Sequence, residues 1–552
     1  LVGLARRGAR RARAAGLPAA TVTADALLAV RYEAAAAGGG AFIGLDETWG
    51  GIIHAPAEAA VLVLGPPRVG KTTSVIIPTV LSAPGAVLST STKPDVLLAT
   101  APARSRYGTV WAYDPTGGAA DLPAGVVRLR WSPLSAAGEW GSARRIAAAM
   151  VGASPAAKGT RGESHWTSRA AALLGPLLYA AALDGRDMAA VVGWVLGDAD
   201  PAAAILEDAA AWNGDAGLAR QVLEGVQRAA DQERQSIWSA TADVIDVYTT
   251  SAALAAAAQP NWSPAQFVAS SDTVYIAAPA EQQASVGPLV VALIEAVRDA
   301  QYCRHRADAL AGRRTWPPVT AVLDEVANIA PIASLPALVS EAGGQGLHVV
   351  AAVQDLSQVR GRWGPEIADG FLSLFSHVLV LGGIRDTRTL EAISVICGEW
   401  LRPTVTTSQS LTHTRGPLHE LKLLDLSDRT HSWSQVAAES RERRMPAGDV
   451  YALAPGRALL LSGPGWRHVS LTPHWAHPRW QAALAAAPAH TIPRPPAELT
   501  AQLPAQRVSP AVRALHPTAC VNGHGGGHSA NGHGGNGHTA DGGHGHGHGG
   551  DR

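Results

Sequence analysis

The sequence predicts an α/β fold: a mainly parallel sheet with helices on both faces. Three observations predict it. Short apolar runs bounded by Gly or Pro recur along the chain, helix-like segments separate them, and one long stretch, residues 136–265, is helical in pattern with no strand candidate. The runs are AAVLVL (59–64), GAVLST (85–90), TVWAYD (109–114), TVYIAA (273–278), VTAVLD (319–324), HVVAAV (348–353), HVLVLG (377–382) and RALLLS (457–462). None alternates apolar with polar residues, as a strand with one wet face would.

In chain order, residues 1–41 form a basic segment with Arg6, Arg7, Arg10, Arg11 and Arg13. It reads as a solvated arm, or as a basic flank beside a membrane segment or a nucleic acid. Residues 42–135 carry the first part of the α/β core. Residues 136–265, Ala-rich and helical in period, read as an all-α domain inserted into it. Residues 266–480 complete the core. From 481 the chain is rich in Pro and Ala, then in Gly and His, with His524, His528, His533, His538, His544, His546 and His548. Such composition cannot bury enough surface to fold and predicts a disordered tail. Its imidazoles could hold zinc, nickel or copper weakly, with no scaffold to orient them.

Composition sets outer limits. The 552 residues exceed one compact core and predict two or three domains. Lys plus Arg and Asp plus Glu balance at 45 each, so no global charge draws the chain to nucleic acid. Any such surface has to be local. Cys303, Cys397 and Cys520 are scattered without CxxC spacing, which argues for a reducing compartment. The longest apolar stretch, Ala170 to Leu183, contains Pro176 and is shorter than the roughly 18 residues a membrane span needs.

Residues 65–73 read GPPRVGKTT, a full match to GxxxxGK[ST]. Gly65 and Gly70 allow the backbone to turn so that amides converge on phosphate oxygens, with Pro66, Pro67, Arg68 and Val69 forming the loop between them. Lys71 supplies a charge to the β- and γ-phosphates, and the Thr72 hydroxyl suits Mg²⁺. A helix from about Thr73 would aim its positive end at the nucleotide. A strand before and a helix after the loop are the context this chemistry requires.

The run VTAVLD ends in two acids. Asp324 at a strand tip can hold Mg²⁺ through water, and Glu325 is then placed to polarise an attacking water. The alternative is an acidic pair at a helix start, which the presence of a phosphate loop disfavours. The next run, HVVAAV, ends at Gln354, whose amide could reach the γ-phosphate or that water. Thr92 with Lys93, and Asp114 with Pro115, follow other strands at the same sheet edge and read equally well as capping turns.

LVLGPPRVGKTTSVIIPTVL, STKPDVL, YDP at 113–115, LDEVANIAPI and GLHVVAAVQDLSQV occur in an order and spacing that resembles the coupling proteins of type IV secretion and bacterial conjugation. These form the TraG/TraD-like group, and the likeness is strongest to actinobacterial members. It spans about residues 42–475. It implies a RecA-like P-loop NTPase core with an all-α domain facing the cytoplasm. It further implies homo-hexamers at the cytoplasmic face of the inner membrane, with ATP and Mg²⁺ as cofactors. The implied partners are DNA (a relaxase-bound single strand), the relaxosome and the secretion membrane components. On this resemblance residues 65–73 contact ATP, Thr72 and Asp324 serve Mg²⁺, Glu325 activates water and Gln354 senses the γ-phosphate. Two departures stand out. The family's N-terminal membrane helices are not seen in this chain. Its arginine before the sensor strand, which reaches a neighbour's ATP, is replaced in SEAGGQG by Gly343; another residue, such as Arg360, Arg362 or Arg385, has to supply it, or hydrolysis will be slow.

Overall fold

The computed structural model describes residues 28–485, apart from 32, 49, 57, 116–121, 155–162, 279–280 and 415–427. The arginine-rich start and the His-rich tail lie outside the described residues. Among the described residues there are fourteen strands: β1 Phe42–Leu45, β2 Ile52–His54, β3 Val61–Leu64, β4 Val87–Ser91, β5 Val110–Tyr113, β6 Val127–Leu129, β7 Thr273–Ala277, β8 Val319–Leu323, β9 Leu347–Val353, β10 His377–Leu381, β11 Glu399–Thr414, β12 Asp428–Arg443, β13 Arg457–Ser462 and β14 Gly465–Ser470.

Twelve of them form one sheet in the order β2-β1-β14-β13-β10-β3-β9-β8-β4-β7-β5-β6. From β10 to β6 every neighbouring pair is parallel, and from β10 outward to β2 every pair is antiparallel. All eight apolar runs are strands. RALLLS differs from the parallel reading: as β13 it runs antiparallel to β10, and β14 returns beside it. The sequence pattern passed over β1, β2, β6 and β14. β2 and β6 are three-residue strands, only partly buried, and β14 carries mostly polar residues on a half-wet face. β11 and β12 stand apart as a two-stranded ribbon of sixteen register pairs, Glu399↔Arg443 to Thr414↔Asp428.

Alternate residues of β3 serve the two faces. Leu62 and Leu64 join one buried cluster with Leu88 of β4 and Leu323 of β8. Val61 and Val63 join the other, with Val75, Ile76 and Val80 of the segment after the phosphate loop. Period-two alternation thus buries both faces of an all-apolar strand.

Between β6 and β7 the described residues contain helices and no strand. Helix Glu163–Leu183 runs through the middle, with Leu173, Leu174, Leu177 and Leu178 fully buried. Several helices begin on a side-chain cap: Asp187 accepts from the Ala190 amide, Asn213 from Asp215 and Thr250 from Ala253. These helices share one continuous buried cluster with a face of the sheet. Helix Gln283–Leu310 lies against helix Trp140–Ala153 and fastens the layer to the core. Among the described residues, no helix is long and apolar enough to cross a membrane.

Candidate nucleotide site

Because β3, β8, β9 and β10 are parallel, everything that follows them emerges at one edge. There β3 ends in the phosphate loop, β8 in Asp324 and β9 in Gln354. β9 lies between β3 and β8, so Gln354 stands between the loop and the acids. The loop's backbone explains its composition. Gly70 has φ of 101°, a region closed to most side chains. Gly65 is packed so closely that an added Cβ would lie 3.0 Å from Leu381 and from Val69. Arg68, at φ 68°, turns the loop outward and is exposed, as is Pro67. Thr72–Ile76 forms a wide π-helical turn that runs into helix Ile77–Ser82, about one residue earlier than the pattern predicts.

The central contact closes a separation of 252 residues: the Thr72 hydroxyl donates to Asp324 Oδ2 at 3.2 Å. Asp324 is 5 % exposed. Its other oxygen accepts the Glu325 amide at 3.0 Å, and its own carbonyl accepts from the Thr90 hydroxyl at 3.0 Å. Lys71 is folded back, its ammonium donating to the Gly65 carbonyl and, at 3.1 Å, to that of Pro66. Burial pushes the Asp324 carboxyl up to about 6, against the attraction of Lys71. Burial likewise lowers the Lys71 ammonium, against the pull of Glu325, Asp324 and Asp355. Desolvation therefore outweighs attraction on both partners. A buried carboxylate beside a hydroxyl, left short of positive charge, fits a divalent cation and its phosphate ligands. Thr72 and Asp324 are the residues that would hold Mg²⁺ here.

Glu325 sits in the left-handed region at φ 50°, a strained backbone for a residue with a side chain. Its carboxylate accepts from Gln354 Nε2 at 3.3 Å on both oxygens and from Asn328 Nδ2 at 3.3 Å. The Gln354 backbone N–H in turn donates to Gln358 Oε1 at 2.9 Å. Asp355 caps the next helix through the amides of Ser357 and Gln358. So Lys71, Thr72, Asp324, Glu325 and Gln354 form one connected group. Sequence reasoning did not single out Thr90, Asn328 and Asp355. Only Asp355, an acid next to Gln354 ahead of a helix, left a readable signal there.

Other candidates fall elsewhere. Lys93 is exposed, its amide donating to Ser91 Oγ, and Pro94 opens helix Asp95–Arg104, the geometry of a capping turn. Asp114 follows β5, which is separated from β9 by β8, β4 and β7. At Gly343 an added Cβ would lie 2.0 Å from the Glu58 carbonyl oxygen, so the backbone there closes the position to any side chain. Arg362 is engaged within its own chain, donating to the Gly152 carbonyl at 2.8 Å and to that of Pro331 at 3.4 Å. Arg360 is half-buried, and Arg385 is exposed at the edge where β10 ends beside β3.

Residues 318–455 match the family model described as the TraM recognition site of TraD and TraG. No curated protein matches the chain. Among solved structures, the bacterial conjugative coupling protein TrwBdeltaN70 superposes with a TM-score of 0.54 at 17 % identity, over 75 % of this chain and 85 % of that one. Plasmid coupling protein TrwB in complex with ADP and Mg²⁺ gives a TM-score of 0.54 at 17 % identity, over 76 % and 87 %. TrwB with an ATP analogue gives 0.53 at 18 %, over 75 % and 86 %. At such identity the superpositions speak for the fold, and the family model speaks for residues 318–455. Residues 318–455 are thus similar to the TraM recognition site of TraD and TraG, and the chain has the fold of the conjugative coupling proteins.

Proposed function

We propose that this chain is an ATP-hydrolysing coupling protein that recruits DNA, carried as a relaxase-bound single strand, and drives it to a type IV secretion channel. The observation that carries the reading is the Thr72–Asp324 contact, which joins the two halves of a nucleotide-metal site. Residues 65–73 hold the phosphates, and Lys71 leaves its own loop carbonyls for the β- and γ-oxygens. Mg²⁺, bound with the nucleotide through Thr72 and Asp324, supplies charge neutralisation at the transferring phosphate. Glu325 accepts the proton of the attacking water, and Gln354 orients that carboxylate and the water. Hexamers at the cytoplasmic face of the membrane would place ATP between subunits. The helical segment 136–265 offers a surface for substrate recognition. A TraM-like relaxosome protein is the partner suggested by the family model.

The test is a pair of variants. Lys71→Ala should weaken ATP binding at least tenfold. Glu325→Gln should keep binding within about threefold and lower turnover at least a hundredfold, in the range for loss of a positioned base. Equal effects on binding and turnover in both would overturn the reading. The closed position at Gly343 favours a second reading, a recruitment scaffold that binds ATP without hydrolysing it. Wild-type protein with DNA that binds ATP and releases no phosphate would establish it. A translocase of double-stranded DNA, of the FtsK/HerA type, is distinguished by stronger stimulation with double than with single strands.

A further inference from the structure

The machinery above accounts for phosphates and metal and leaves the nucleotide's base without a partner. A triphosphate whose γ-end met Lys71 would extend outward along the first helical residues and bring its ribose and base towards Thr73. At Thr73 the structure brings in the last part of the core. The Thr73 carbonyl accepts the His474 amide at 3.0 Å, and His474 Nδ1 lies 3.1 Å from the same oxygen. That places the ring proton on Nδ1. The next residue, Trp475, is a large indole left 56 % exposed. The His474 ring stands against it at 4.9 Å between centroids and 78° between planes. The segment is held from behind. Ala476 and His477 donate to the Pro473 carbonyl, and Trp480, 1 % exposed, packs edge-on against Phe42 at 5.4 Å. Arg479 pairs with Glu33 at 2.7 Å.

We infer that Trp475 is the platform on which the base of the bound nucleotide stacks, with His474 tying that platform to the phosphate-loop helix. The inference deepens the nucleotide-site reading and rests on it. An exposed indole costs free energy in water and offers a flat face that any purine can cover, and stacking of this kind contributes measurably to nucleotide affinity. The spacing is set by the backbone bond to Thr73, so the platform moves with the loop that binds the phosphates.

The experiment is calorimetry of the full chain with Mg-ADP and, separately, with magnesium tripolyphosphate, which has no base. Trp475→Ala is expected to weaken ADP binding at least tenfold and to leave tripolyphosphate within twofold of wild type. Trp475→Phe, which keeps an aromatic face, should stay within about threefold for both. Unchanged ADP affinity in Trp475→Ala would overturn the inference. So would an equal loss of ADP and tripolyphosphate, which would make the residue a prop of the phosphate loop. Failure of the underlying reading looks different: wild-type protein, or Lys71→Ala compared with it, would show no phosphate-dependent binding of either ligand.

Discussion

At the scale of single residues, the site is built against the stability of the empty protein. Asp324 is buried, and that burial raises its carboxyl from the ordinary carboxylate range to about 6. The folded state therefore holds this proton more tightly than the unfolded chain. The burial penalty is absent below about pH 4, grows as pH rises through 6 and is complete above it. Asp324→Asn should accordingly stabilise the nucleotide-free protein by about 1–2 kcal/mol at pH 8, with the gain fading towards pH 4. Thermal unfolding across that range checks it, and turnover should vanish in the same variant. Gly343 makes the opposite case. A Cβ there meets the Glu58 backbone, which cannot swing aside as a side chain tip can. Gly343→Ala should cost about 2–3 kcal/mol, while Gly344→Ala, with nothing within 4 Å of its added Cβ, should be near neutral in the same melts.

At the scale of elements, the segment after the acids is gripped from three sides. Ser334 Oγ donates to Glu295 at 3.1 Å, Trp363 Nε1 to the Ile332 carbonyl at 2.8 Å, and Arg362 bridges Pro331 to Gly152 of helix Trp140–Ala153. The buried Glu295 pairs with Arg298 at 2.5 Å, and Asp299 links Arg298 to Arg145 of that same helix. The strained Glu325 is thus followed by a stretch fixed to the helical layer. Arg362→Ala should lower kcat several-fold with KM within twofold, and Arg362→Lys, which can still reach both carbonyls, should recover most of it. A guanidinium acting on a neighbour's phosphate would not be rescued by lysine, so steady-state kinetics of the two variants separates the roles.

At the scale of the whole molecule, the sheet and the ribbon obey different rules. The central strands of the twelve-stranded sheet are buried on both faces. Among the described residues the ribbon's strands pair with each other and with no further strand, and Trp400, Leu401 and Trp433 are exposed on it. An isolated two-stranded ribbon is marginal in water and contributes little to the core. Replacing residues 401–441 by a short Gly-Ser turn should shift the melting temperature by less than about 2 °C, measured by calorimetry or dichroism. A larger fall would mean the ribbon packs on the core.

The phosphate loop, the acid pair and the eight principal strands were legible in the sequence because each depends on local chemistry. Gly70 needs its φ, Lys71 and Thr72 their reach, and a doubly buried strand its unbroken apolar run. The same run is silent about direction, which is why β13 turned out antiparallel, and a short or half-wet strand such as β6 or β14 leaves too weak a period to read. Tertiary structure alone decided what meets what. β9 inserts between β3 and β8, Asp324 reaches Thr72 from 252 residues away, Arg362 turns inward, and His474 binds the carbonyl of Thr73. Those contacts join residues far apart in the chain, and only the order and packing of the strands, an energy summed over the whole core, selects them.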